Sequence, residues 1–141
     1  MNTNFFMKSI LLWLWQFPQN IIGAILARNY KNIKITDDNI IVYYVSNIFR
    51  SDVSLGNYIL LDYDAYYGFN DTETIKHEHG HQIQSMIFGP LYLIIIGLPS
   101  ACGNLIDRYF HKDWDEIDAD KWYFSQPWEA WADKLGKVNR F

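Results

Sequence analysis

The chain has 141 residues, 50% of them hydrophobic, which is enough for one domain over residues 1–141 with a core of its own. The balance of 12 Lys and Arg against 16 Asp and Glu, net −4 and without a basic cluster, excludes nucleic acid as the main partner. A single cysteine, Cys102, excludes an internal disulfide and a cysteine-built structural metal site.

Residues 4–30 form the most apolar stretch. One apolar run ends at Trp15, the polar residues Gln16, Gln19 and Asn20 interrupt together with Pro18, and a second run follows to Ala27. Neither run approaches the ~18 residues a membrane span needs, and the proline favours a kink, so the pattern predicts two short helices. Three readings of this pair stay open: helices packed in a core, an amphipathic anchor with Trp13 and Trp15 at the headgroup level of a membrane, and an uncleaved signal with Lys8 as its charge. The expected location is cytoplasmic or peripheral to a membrane.

The period then changes to that of strands. Residues 40–45 and 57–62 are rich in β-branched and aromatic side chains, with Asp37, Asp38 and Asn39 as a turn before the first. They are expected to pair as an antiparallel ribbon, with residues 33–35 as a third strand. A free edge of this sheet suits an extended peptide added as a further strand.

Residues 74–85 read Thr-Ile-Lys-His-Glu-His-Gly-His-Gln-Ile-Gln-Ser, and within them His77, Glu78 and His81 match H-E-x-x-H. On a helix, residues four apart lie one turn above each other, so both imidazoles can reach one ion about 2.0–2.1 Å away. Glu78 lies about 100° further round, placed to reach a water beside the metal without being a ligand. His79 faces the opposite way, as a surface or supporting group. Asn70 or Asp71 can cap the helix, Glu73 can close a capping box on Asn70, and Gly89-Pro90 supplies the stop.

Residues 89–107 are apolar but punctuated by Gly-Pro and Leu-Pro, which predicts a buried linker or short helix, or an apolar hairpin touching a membrane. Residues 107–123 turn acidic, a solvated face that is also one place for a third metal ligand. A second candidate is the helix that Ser125 and Pro127 open and Gly136 closes, on which Glu129 and Asp133 share a face.

H-E-x-x-H followed by this E-x-x-x-D resembles the gluzincins, the thermolysin-like branch of zinc metallopeptidases. The chain is also similar to small, uncharacterised bacterial proteins with a Gly-Pro-Leu-Tyr-Leu run after the motif, here residues 89–93. The resemblance implies Zn2+ held by His77, His81 and Glu129, Glu78 as general base, and Asp133 supporting His77. It implies an α+β, minimal zincin-like fold: apolar N-terminal helices, a small antiparallel sheet, the H-E-x-x-H helix and a C-terminal helix bearing the third ligand.

A metzincin would carry glycine and histidine where this chain has Gln84 and Ile87. An intramembrane protease fits poorly, because Lys76, Gln82 and Gln84 flank the motif and the apolar runs are short. The expected activity is zinc-dependent hydrolysis of a peptide or protein substrate, with His111, Tyr123, Tyr63, Tyr66 or Tyr67 as the oxyanion donor. Two other classes stand beside it: a non-catalytic zinc-binding domain, and a membrane-associated interaction protein touching lipid through residues 5–27 and 88–101.

Overall fold

A computed structural model of the chain describes residues 3–46, 51–66 and 71–140, with side chains from residue 7 onward and without that of Tyr66. In chain order come helices α1 (Thr3–Trp15) and α2 (Phe17–Ala27), and strands β1 (Tyr30–Ile35), β2 (Ile41–Val45), β3 (Val53–Leu55) and β4 (Tyr58–Asp62). The short helix α3 (Tyr63–Tyr66) and the long helix α4 (Thr72–Phe88) follow, then a 3-10 turn at Gly89–Leu91 and a π turn at Leu93–Gly97. Helices α5 (Leu98–Phe110), α6 (Glu116–Phe124) and α7 (Pro127–Gly136) complete an α+β arrangement.

The sheet order is β1-β2-β4-β3, and its pairing corrects the expected antiparallel ribbon: β2 and β4 run parallel, with Val42 opposite Ile59 and Val45 opposite Asp62. The reason is visible in the strands themselves. Both are continuous apolar runs without polar alternation, as befits strands buried on two faces. Val42, Tyr44, Ile59 and Leu61 pack with Ile75 of α4, while Val45, Leu60 and Leu55 pack with Ala27 of α2. The antiparallel place beside β4 is taken by β3, a three-residue strand that turns back through Gly56, whose φ is 61°. On the other side β1 pairs antiparallel with β2 across the expected turn, where Asn39 has φ 60°.

Helix α4 thus lies on one face of the sheet and α2 on the other, and α7 packs on α4. Asp71 occupies the cap position of α4, but its carboxylate turns to the sheet rather than capping, accepting from Lys34 Nζ at 2.7 Å and from the Tyr44 hydroxyl. Glu73 pairs with Lys76 at 3.1 Å, and Asn70 lies outside the described residues. The helix ends before Gly89, as Gly89-Pro90 predicts.

Two further expectations need correction. Residues 89–107 form short helices, as one reading expected, rather than a buried linker: Gly89, Tyr92, Ile96 and Gly103 are buried and the rest are exposed or half-buried. Ser125 does not cap α7. It ends α6, donating to the Trp122 carbonyl at 2.7 Å, and Gln126 takes the cap position ahead of Pro127.

Candidate metal centre

Two helices build the centre. His77, Glu78 and His81 come from the middle of α4, and Glu129 from the first turn of α7; all four are buried, Glu129 to 0% exposure. The helices approach this closely because glycine stands at both crossing points. A Cβ on Gly80 would lie 1.9 Å from the Ala132 carbonyl oxygen, and one on Gly136 would lie 1.9 Å from that of Lys76. Gly136 is therefore needed for the crossing; the left-handed residue that ends α7 is Lys137, with φ 59°.

Nε2 of His77 and Nε2 of His81 each stand 3.1 Å from the same oxygen, Oε2 of Glu129. The other ring nitrogens are held from behind. Nδ1 of His77 is 2.7 Å from Asp133 Oδ1, and Asp133 in turn accepts from Arg140 Nε at 2.8 Å. Nδ1 of His81 is 2.7 Å from Gln84 Oε1, and the Gln84 amide donates to the Trp128 carbonyl at 2.9 Å. The Tyr123 hydroxyl donates to the second Glu129 oxygen at 3.1 Å and lies 3.3 Å from Ser100 Oγ. Phe124 closes the edge of the His77 ring, with centroids 5.2 Å apart.

Proton counting shows what this arrangement suits. Each ring faces an acceptor at both nitrogens, yet a neutral imidazole carries one N–H. Either both rings carry an extra proton or a cation sits where the two Nε2 atoms and Oε2 converge, leaving each Nδ1–H to its acceptor. Ligand atoms about 2.0–2.1 Å from a tetrahedral zinc stand roughly 3.3 Å apart, close to the spacing seen here. The three donor groups lie within 4.8 Å of one another, so they can hold one metal ion. Two imidazoles and a carboxylate, each oriented by an outer partner, are a donor set that can hold a metal ion.

The electrostatics agree. Burial alone lowers an imidazole pKa, but hydrogen bonds donated to Asp133 and Glu129 and the charge of Glu78 lift His77 to about 9. His81 rises too, as Glu129 and Glu78 outweigh its burial. Burial pushes Glu129 upward, but the two imidazoles hold its carboxyl well below the usual carboxylate range. The centre draws positive charge.

Glu78 differs. Burial, with Asp52 and Glu129 adding to it and the two histidines opposing, raises its pKa to about 7, and its Oε2 is enclosed with no hydrogen-bond partner among the described residues. A carboxylate so placed suits taking up and releasing a proton near neutral pH.

The structure thus brings His77, Glu78, His81, Glu129 and Asp133 together, with Asp133 on His77. His79 lies apart, bonded to Gln82 at 3.0 Å. Among the tyrosine and histidine candidates Tyr123 is at the centre, whereas His111 stacks on Trp114 at 3.7 Å and pairs with Asp107. Tyr63 lies under Lys31, while the Tyr66 side chain and Tyr67 are outside the described residues. No ligand comes from the acidic residues of α6. Sequence reasoning missed Gln84, although its place three residues after His81 on one helix face was a usable signal. It also missed Arg140, for which the sequence offers none. No protein-family model, curated protein or solved structure matches the chain.

Proposed function

We propose that this protein is a zinc-dependent hydrolase of peptide bonds, with His77, His81 and Glu129 holding the metal and Glu78 as general base. The observation that carries the reading is the convergence of both Nε2 atoms on Oε2 of Glu129, each Nδ1 held from behind, with an unpartnered carboxylate oxygen of Glu78 buried alongside. Zinc bound there supplies a Lewis acid at which water ionises near pH 7.

The residues of the chain do the rest. Glu78 accepts the proton of the attacking water and passes it to the departing amine, a transfer for which a pKa near 7 serves both directions. Asp133 and Gln84 fix the rings so that Nε2 lone pairs face inward. Tyr123 engages Oε1 of Glu129 and leaves Oε2 to the metal.

The test is metal content and peptide hydrolysis together. Zinc near one equivalent in the wild type, lost in His81→Ala and Glu129→Ala but kept in Glu78→Gln, is the expected pattern. Glu78→Gln should lower hydrolysis of a peptide library about 10²–10⁴-fold. A wild type that binds no zinc when zinc is offered would sink the reading. A wild type that binds zinc and hydrolyses no better than Glu78→Gln is a non-catalytic zinc-binding domain.

A further inference from the structure

The N-terminal helices sort their residues the wrong way round for water. In α2 and the bend before it, the buried residues are Gln16, Gln19, Asn20, Gly23 and Ala27, three of them amides at 0–1% exposure. Outward face Phe17, Ile21, Ile22, Ile25 and Leu26. Burial of apolar surface is what drives folding in water, so this sorting has no aqueous rationale. It does match helices in lipid, where small residues and hydrogen-bonded amides face the protein and aliphatic side chains face outward.

The buried amides bond within the protein, although Gln19 Oε1 has no partner among the described residues. Gln19 donates to Ser85 Oγ at 2.9 Å and to the Gly89 carbonyl at 2.7 Å, Ser85 donates to Gln16 at 2.7 Å, and Asn20 accepts from Asn57 N–H at 2.8 Å.

A second segment repeats the inversion beside the first. Gln84, Ser85, Gly89 and Gly103 are buried beside Tyr92 and Ile96, while Ile87, Leu91, Ile94, Leu98 and Leu105 are exposed. The two surfaces are continuous, because the Trp15 indole N–H donates to the Met86 carbonyl at 3.0 Å and its ring covers Gly89. No residue between Ser9 and Ala27 or between Gln82 and Ile106 carries a charge; Lys8 and Arg28 flank the first stretch, and Asp107 and Arg108 follow the second.

Helix α1 decides between lipid and a second copy of the chain. Residues 7–12 are all exposed, and at about 100° per residue they go right round the helix. Met7, Ile10, Leu11 and Leu12 are therefore apolar on several sides at once. A protein partner covers one face of such a helix, whereas acyl chains surround it. At 13 residues α1 is about 20 Å long, short of the roughly 30 Å hydrocarbon core, and no single described helix is long and apolar enough to cross a membrane. The α1–α2 pair, bent by 92°, passes the hydropathy test of a span when its halves are taken together.

We propose that α1, the outer face of α2 and the exposed side of residues 87–105 form one surface that inserts into a single leaflet of a phospholipid bilayer. This does not depend on metal or catalysis. The test uses the full chain, transferred from mild detergent into vesicles of phosphatidylcholine, alone or mixed with phosphatidylglycerol, and followed by flotation. The wild type should float with both. Leu14→Glu and Ile94→Glu replace exposed residues, and each should lower vesicle partitioning about tenfold or more. Ile35→Glu, at a position 64% exposed at the last residue of β1 and outside the proposed surface, should float as the wild type does. Thermal melts matching the wild type separate lost docking from lost folding. A wild type that stays below the vesicles, or Leu14→Glu and Ile94→Glu proteins that float unchanged, would overturn the proposal. So would a lipid-indifferent dimer that Leu14→Glu disperses, which would assign the surface to a second copy of the chain.

Discussion

Helix α4 meets two other helices through buried polar side chains, α7 near its middle and α2 near its end, and the two junctions are built of different chemistry. At α7 the groups are charged and unbalanced: Glu78, Glu129 and Asp133 face two histidines and one arginine, Arg140. At α2 they are neutral, with Gln16, Gln19, Ser85 and the Gly89 carbonyl bonded among themselves. Burial of polar groups is common to both, so burial does not distinguish them. The difference is that the neutral junction pairs its donors with acceptors inside the chain, with Gln19 Oε1 left over among the described residues, whereas the charged one has more acceptors than neutral imidazoles have protons. A junction of the first kind latches elements together, and one of the second kind is built to hold something.

The largest effect should come from closing the gap at α7. Gly136→Ala places a methyl 1.9 Å from the Lys76 carbonyl oxygen and should cost about 3 kcal/mol, with zinc lost as α7 moves away; denaturant melts and metal content read both. Asp133→Asn keeps the shape and removes the charge behind His77, so zinc affinity should fall about 10–100-fold with the melt nearly unchanged.

At the other junction, Gln19→Leu removes the donor to Ser85 Oγ and to the Gly89 carbonyl, which keeps only the Tyr92 N–H, and should cost about 1–3 kcal/mol of stability with zinc affinity intact. Were zinc affinity to fall there as far as in Asp133→Asn, the distinction between latch and centre would fail.

A balanced charge sharpens the comparison further. Asp71 is buried and charged, but Lys34 neutralises it; although burial pushes its pKa up, hydrogen bonds from Lys34 and Tyr44 bring it below 3.8. A depressed carboxyl pKa contributes stability above its unfolded value and loses it as pH falls through the folded one. Asp71→Asn should therefore lower stability at pH 7 by about 1 kcal/mol, a deficit that closes below pH 4. Zinc affinity should not change. The smallest effect is expected from Tyr123→Phe, which removes one hydrogen bond to Glu129 and should weaken zinc about fivefold, measured by competition with a chromophoric chelator.

What the sequence determined by itself is local. His77, Glu78 and His81 share a helix because helical spacing is written in their numbering, and so is the common face of Glu129 and Asp133. The break at Gln16, the stop at Gly89-Pro90 and the turn at Asn39 also follow from residues next to one another.

Only the tertiary structure decided the rest. The parallel pairing of β2 with β4 depends on a three-residue strand, β3, too short to give a periodic signal. The need for glycine at 136 comes from the Lys76 carbonyl sixty positions earlier, and the placing of Arg140 on Asp133 from the path of the chain beyond α7. The direction of the N-terminal helices is of the same kind. Composition marks them as apolar, but which side faces the protein is set by Ser85 and the Gly89 carbonyl, groups that reach Gln16 and Gln19 only once α4 has folded against them.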